Sequence, residues 1–273
     1  MTQRKSGSRG KPGATREQVE RRERFERARR DSLRPADGPT VMYGWHTVTA
    51  ALKNPARRLR KLLATENAAR RLAEEGIVPA LAPDLVRPSA IAERLAPDAV
   101  HQGLYLEADA LPSPAVESLP AQGVVLVLDQ ITDPHNVGAI FRSAAAFAAT
   151  AIVTTQRHSP DATGALAKAA SGALEVVPLV SVQNLARGLA ALKQSGFLVV
   201  GLDSSGDADL AALPLRAPLA LVLGAEGKGL RQLTKETCDA VARLDLPGVI
   251  KSLNVSNAAA LALYVASRRL RGA

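Results

Sequence analysis

Cysteine is almost missing: Cys238 is the only one in 273 residues. That excludes an intramolecular disulfide and suits a reducing compartment. A lone cysteine of this kind reads as a small buried hydrophobe. Aromatic residues make up only 3% of the chain, so the core must be built from Ala, Leu and Val. No run of about 18 apolar residues occurs, and Met1 leads into Lys and Arg rather than an apolar stretch. Neither a membrane span nor a secretory leader is visible, and a cytoplasmic protein without a membrane partner is expected. His46, His101, His135 and His158 are widely spaced. No Cys or His pair stands at metal-ligand intervals, so no metal site is expected.

Positive charge is what the chain has in excess. Its formal net charge is +9 and its pI about 10.1. Such a balance favours a polyanionic partner, because Lys and Arg that neutralise phosphates release counterions. Much of the excess sits in residues 1–38, where 12 Lys and Arg face 6 Asp and Glu. This segment has almost nothing to bury and should not fold alone. Glu17, Glu20, Glu23 and Glu26 each precede an arginine by four positions (Arg21, Arg24, Arg27 and Arg30). That spacing supports a solvated, transient helix. The segment reads either as an electrostatic arm for RNA or as a solubilising extension.

The rest divides by pattern into a small α/β region (39–109), a Pro-bearing linker (110–121, with Pro112, Pro114 and Pro120) and a more regular region (122–273). In the small region, helical and strand-like pieces alternate at Thr47 to Leu52, Leu59 to Ala64, Asn67 to Glu75 and Ala90 to Leu95, with a strand at Gly103 to Glu107. The regular region predicts strands at Val124–Leu128, Ala151–Thr155, Glu175–Leu179, Phe197–Leu202, Leu219–Leu223 and Val241–Leu246. Predicted helices span Val137–Ala148, Leu166–Gly172, Leu185–Gln194, Leu230–Thr237 and Val255–Leu270. This alternation implies a parallel sheet covered by helices on both faces, with ligands at the carboxyl ends of the strands.

Three loops carry candidate chemistry. The first, Asp129 to Arg142, holds Asn136, suited to a turn or a helix cap, and Arg142. On an ideal helix these two point about 120° apart, so their meeting requires Asn136 to lie in the turn. The second is Gly224-Ala225-Glu226-Gly227-Lys228-Gly229, whose glycines let backbone approach a ligand closely. It is not a P-loop, since Val222 stands where the first glycine is required and Gly229 where Ser or Thr is required. Nor does any strand lead into the G-x-G-x-x-G of a dinucleotide fold. The third loop runs from Leu244-Asp245-Leu246-Pro247-Gly248 to Lys251-Ser252-Leu253-Asn254-Val255-Ser256-Asn257. It offers more hydrogen-bonding side chains than one helix cap needs.

Taken together, N-x-G-x-x-x-R after one strand, G-A-E-G-x-G after another, and L-P-G before S-L-N-V-S on a final helix resemble the three motifs of the SpoU (TrmH-like) RNA 2'-O-ribose methyltransferases, of the SPOUT superfamily. Tyr43-Gly44-Trp45-His46 and His101-Gln102-Gly103 resemble the small substrate-binding domain that precedes them. The resemblance implies a deep trefoil knot near the C-terminus, a rare exception to unthreaded chains, and a homodimer whose sites borrow groups from the partner subunit. It implies S-adenosylmethionine as cofactor, held at Gly224, Glu226, Gly227, Leu244, Leu246 and Leu253. Arg142, Asn136, Glu226, Ser252 and Asn254 match the catalytic positions. Arg142 then either assists removal of the hydroxyl proton or binds phosphate, the easier task for a group with a pKa above about 12. Lys251 is an additional phosphate candidate, and His135 a less favoured base. The implied substrate is a guanosine ribose in 23S ribosomal RNA. A transfer-RNA methylase, or a ribosome-assembly factor without turnover, are the competing readings.

Overall fold

Short Leu- and Val-bearing segments between residues 40 and 108 pair into a four-stranded sheet in the computed structural model, which describes residues 39–97, 99–156 and 164–271. The basic segment 1–38, with its expected helix, lies outside the described residues. Strands β1 (Thr40–Tyr43), β2 (Leu59–Ala64), β3 (Asp84–Leu85) and β4 (Leu104–Ala108) are ordered β1-β4-β2-β3. The pairs β1–β4 and β4–β2 are antiparallel, and β2–β3 is parallel. Helices α1 (Trp45–Lys53), α2 (Glu66–Glu74) and α3 (Pro88–Ala92) lie between them. Thr65 starts α2 because its hydroxyl accepts the Ala68 N–H, a standard helix cap. The short strands β1 and β3 were not foreseen; at 4 and 2 residues they are too brief to show a period.

The larger sheet is built on central strands that are almost wholly apolar, β8 and β10 entirely so and β5 apart from its last residue. β5 (Val124–Asp129), β6 (Ala151–Thr155), β7 (Leu179–Val182), β8 (Leu198–Leu202), β9 (Ala208–Asp209), β10 (Leu219–Gly224) and β11 (Ala240–Arg243) are ordered β7-β6-β5-β10-β8-β11-β9. Every pairing in it is parallel. Helices are α4 (Pro134–Ala146), α5 (Gly164–Ala170), α6 (Leu185–Gln194), α7 (Gln232–Thr237) and α8 (Val255–Leu270). Leu126, Leu128 and Leu221 pack with Val137, Ile140 and Phe141 of α4 and Ala259 and Leu263 of α8. Val125, Val127 and Val222 pack on the other face with Leu185, Leu189 and Leu192 of α6. Burial of both faces is why these strands read as continuous apolar runs rather than alternating ones. Gly138 sits where α4 crosses α5: a Cβ there would collide with the Ala169 side chain and the backbone of Leu166 and Ala170.

Several predicted elements shift. The strand expected at Glu175–Leu179 is instead a 3-10 turn (Ala173–Glu175) followed by β7. Pro178 has no N–H for a ladder, and Glu175 is engaged as an ion-pair partner. The strand expected to reach Leu246 ends at Arg243, because its neighbours β8 and β9 run out; Leu244 and Leu246 lie in the loop beyond it. Helix α4 begins at Pro134, with Asp133 as its cap accepting the His135 N–H at 3.0 Å. Asn136 is therefore helical rather than part of the turn. Helix α7 starts at Gln232, not Leu230, since Leu230 and Arg231 are held by carboxylates described below.

The two sheets belong to one compact unit. Ala167 of α5 is part of the core around Met42, Trp45, Leu62 and Leu106. A buried ion pair reinforces the junction: Arg57 Nη2 donates to Glu175 Oε1 at 2.6 Å and Nε to Oε2 at 3.1 Å, with both side chains 4% exposed. Asn54 Nδ2 also donates to Glu175 Oε2, at 2.8 Å, and Arg57 Nη1 to the Asp109 carbonyl, at 2.8 Å. Removing one partner leaves a buried charge uncompensated. Glu175→Ala is expected to lower unfolding stability by about 3–5 kcal/mol, read from urea denaturation; a change under about 1 kcal/mol would place the pair in a solvated, energetically minor role.

Candidate active site

Parallel register brings four strand ends together. Gly224 at the end of β10 pairs with Asp129 at the end of β5, Leu223 with Leu202, and Leu202 with Ala242. The loops that follow these strands therefore emerge side by side at the carboxyl edge, where parallel α/β sheets bind ligands.

One residue from each of the three loops meets in a hydrogen-bonded cluster. Glu226 Oε1 accepts from Asn254 Nδ2 at 2.7 Å, from the Val255 N–H at 3.2 Å and from Asn136 Nδ2 at 3.3 Å. Asn254 Nδ2 also donates to Asn136 Oδ1 at 2.9 Å. Asn254 caps α8, its Oδ1 accepting from Ser256 N at 2.9 Å and Ser256 Oγ at 2.6 Å. Its side chain thus serves both the helix start and the cluster, which is why the local sequence alone reads as surplus capping. Asn136 reaches the cluster from the first turn of α4.

The glycine loop is stapled at its far end by two carboxylates. Asp129, with no exposed side-chain surface, accepts from Arg231 N at 3.1 Å and Arg231 Nε at 2.7 Å. Asp203 accepts from Leu230 N at 3.2 Å, Ser205 N at 3.0 Å, Ser205 Oγ at 2.6 Å and Lys235 Nζ at 2.9 Å. Burial opposes ionisation of Asp203, but the hydrogen bonds from Ser205, Lys235 and Leu230 together outweigh it and hold its carboxyl well below the usual carboxylate range. Ahead of these staples the loop folds back on itself through an Ala225–Gly229 bridge. A Cβ on Gly224 would strike the Gly229 backbone. Gly227 and Gly229 adopt φ of 75° and 64°, conformations that side chains resist.

A cleft of about 360 Å³ opens between the loops. Its lining includes Gly224, Glu226, Gly227, Leu244, Leu246 and Leu253, all singled out from sequence, together with Lys251 and Ser252. Leu202, Leu223, Val255 and Ala258 add apolar wall, and Asp203 a carboxylate. Lys251 Nζ donates to the Leu246 carbonyl at 2.7 Å, bracing the third loop. Arg142 stands apart: it lies six residues beyond Asn136 on α4, is exposed, and makes no hydrogen bond or ion pair with any described residue. His135 is exposed at the same helix start. Among the described residues, no group of three or more His, Cys, Asp or Glu could hold a metal ion. Burial first, and then Asp239, push the Cys238 thiol up to about 11, so it stays protonated at neutral pH and packs as a small side chain against the α6 core.

Asp129, Asp203, Arg231 and Lys235 were not among the sequence candidates. Asp203 immediately follows a predicted strand, Phe197–Leu202, so its place at the carboxyl edge was the available signal. Asp203→Ala removes the acceptor of the Leu230 N–H, and that amide is expected to exchange about tenfold faster or more; unchanged protection would remove the staple. Because the folded value is depressed, the carboxylate's contribution is complete above an unfolded value of about 3.9. It is lost only as pH falls below that, through the folded value. Leu230 protection referred to the intrinsic exchange rate should therefore be flat from pH 5 upward.

A family model described as "SpoU rRNA Methylase family" matches residues 123–264, and one described as "RNA 2'-O ribose methyltransferase substrate binding" matches residues 41–114. The chain is 37% identical over 237 residues to a protein of Ralstonia nicotianae named 23S rRNA (guanosine-2'-O-)-methyltransferase RlmB, covering 84% of this chain and 95% of that one. A protein of the same name from Pseudomonas putida is 38% identical over 239 residues, covering 84% and 96%. The fold is also that of the SpoU methyltransferase AviRb from Streptomyces viridochromogenes, solved in complex with AdoMet, at a TM-score of 0.72 and 23% identity, covering 90% of this chain and 93% of that one. Matches over both sheets, joined to a cluster made by one residue from each motif loop, place this chain in the SpoU rRNA methylase family.

Proposed function

We propose that the chain transfers a methyl group from S-adenosylmethionine to a ribose 2'-hydroxyl of RNA, the substrate being a guanosine of 23S ribosomal RNA. The observation that carries this is the cleft at the strand ends, walled by the second and third motif loops and joined to the first through Asn136. Its lining suits a cofactor without phosphates: leucines predominate, two carboxylates are present, and Lys251 is the one basic side chain among the lining residues. A phosphate-bearing ligand would call for donors or cations there, whereas a sulfonium nucleoside is complemented by apolar wall and negative charge. When bound, S-adenosylmethionine supplies an electrophilic methyl carbon. Leu244, Leu246 and Leu253 would hold its apolar portions, and the backbone at Gly224 and Gly227 would lie against it.

The chain's own residues then have to orient the ribose and manage one proton. Positioning is the larger part of such catalysis, since in-line attack needs no covalent enzyme intermediate. Asn136 and Asn254, tied together through Glu226, form a rigid polar edge beside Ser252. Arg142 binds the RNA phosphate and stabilises charge at the hydroxyl. Because Arg142 makes no hydrogen bond to the Asn136 cluster within one chain, a second copy that brings its own Arg142 to this cluster would complete the site. Exposed Leu261 and Tyr264 on α8, at 38% and 53%, offer apolar surface for such a homodimer. The trefoil knot belongs to the same reading, supported by family membership and by the way both C-terminal loops wall one cleft. Residues 41–114 would grip the RNA, and residues 1–38, carrying much of the net positive charge, would add sequence-independent attraction.

Purified protein is expected to move label from S-adenosylmethionine to ribosomal RNA, with the label on ribose; label found only on transfer RNA would overturn the substrate, and no heat on cofactor titration would overturn the enzyme. Arg142→Ala should bind cofactor normally and lose at least about a hundredfold in turnover, the usual scale for a group that stabilises reacting charge. Near-normal rates would take Arg142 out of the reaction.

A further inference from the structure

The sheet that precedes the catalytic region holds a second pocket, of about 280 Å³, whose lining includes Trp45, Asn67, Arg71, His101, Gln102 and Gly103. Its floor is a stacked pair. The guanidinium of Arg71 lies over the Trp45 ring, 3.8 Å from the centroid. Trp45 is 4% exposed, whereas the Arg71 side chain is 52% exposed. Arg71 Nε donates to Glu75 Oε1 at 2.9 Å, which holds the plane in place. One face of a flat cation is thus covered by indole and the other is open.

The rim is set by hydrogen bonds that leave donors over. His101 Nδ1 accepts from the Gly103 N–H at 3.1 Å, so the proton of a neutral ring resides on Nε2. Gln102 Oε1 accepts from Trp45 N at 2.9 Å and Lys168 Nζ at 3.3 Å. That fixes the amide and leaves its NH2 as donor. Asn67 Oδ1 accepts from Arg70 Nη2 at 3.0 Å, keeping its own NH2 available. A planar cationic platform edged with amide and imidazole donors is the chemistry that takes a base extruded from a strand, whose π-face stacks and whose carbonyl and ring-nitrogen atoms accept.

We infer that this pocket binds one unpaired nucleobase of the RNA, stacked on the open face of the Arg71 guanidinium. The inference rests on the reading of the chain as an RNA-acting enzyme and names the part of the RNA it grips away from the reacting ribose. The pocket is also mechanically joined to the catalytic region. Lys168 of α5 donates to Gln102 Oε1 and, at 3.0 Å, to the Val100 carbonyl, and α5 packs closely on α4, which carries Asn136 and Arg142. A base seated here sets the register of the strand relative to the cleft.

Trp45 is the only tryptophan in the chain, so its emission reports the pocket directly. The probes are an RNA hairpin with an unpaired purine loop and the same stem as an uninterrupted duplex, titrated into the full chain. The hairpin is expected to change Trp45 emission saturably and the duplex to leave it unchanged. Arg71→Met and Arg71→Lys should each weaken hairpin binding about tenfold, the scale of one lost base stack, while S-adenosylmethionine affinity, measured as a check on folding, stays at the wild-type value. Wild-type hairpin affinity in Arg71→Lys would overturn the pocket in favour of simple charge, as would an equal emission change with the duplex. The two readings fail separately: hairpin binding as described without methyl transfer sinks the enzyme and spares the pocket, and normal methylation with Arg71→Met at wild-type hairpin affinity does the reverse.

Discussion

The meeting of the three loops at the carboxyl edge depends on one oxygen. Glu226 Oε1 takes donors from Asn254, Val255 and Asn136, residues that lie 28, 29 and 90 positions away. A carboxylate is suited to this because it is acceptor-only when ionised and offers several lone-pair sites. The same three contacts tie a helix start, a glycine loop and the last helix into one wall. The cluster is partly exposed, so each hydrogen bond is individually modest, and its value is geometric.

Around that oxygen the loop is held by what flanks it. Parallel register sets Gly224 beside Asp129 and Leu223 beside Leu202, which leaves the loop entering at a fixed point. Asp129 and Asp203 then capture Arg231 and Leu230 where it leaves. Between these anchors the glycines are not interchangeable with alanine: Gly224 needs room for the returning backbone, and Gly229, at φ 64°, lies against the Asp203 carboxylate. A loop restrained at both ends, with glycine at three of its six positions, can present backbone to a nucleoside.

The smaller sheet is built into this frame rather than hung from it. Ala167 enters its core, Glu175 receives Arg57 and Asn54, and Lys168 reaches Gln102. These contacts all arise from α5 and the turn after it, and α5 in turn lies against α4 with Gly138 at the crossing. RNA held over Trp45 would therefore be positioned relative to Asn136 and Arg142 through one helix pair.

The apolar runs, the parallel α/β order, α6 and α8 at their full lengths, and the three motif loops were legible in the sequence because each depends on local composition and spacing. The lining leucines Leu244, Leu246 and Leu253 were found by resemblance, not by pattern. Where a strand or helix begins or ends was less legible: Pro178 and the buried Arg57–Glu175 pair displace β7, and the two carboxylate staples delay α7. Those limits are set by partners 27 to more than 100 residues away. Arg142 shows the division most clearly. Its presence is a matter of sequence, but that it stands clear of Asn136 follows only from α4 starting at Pro134, which puts both residues on one helix, where six positions turn them apart.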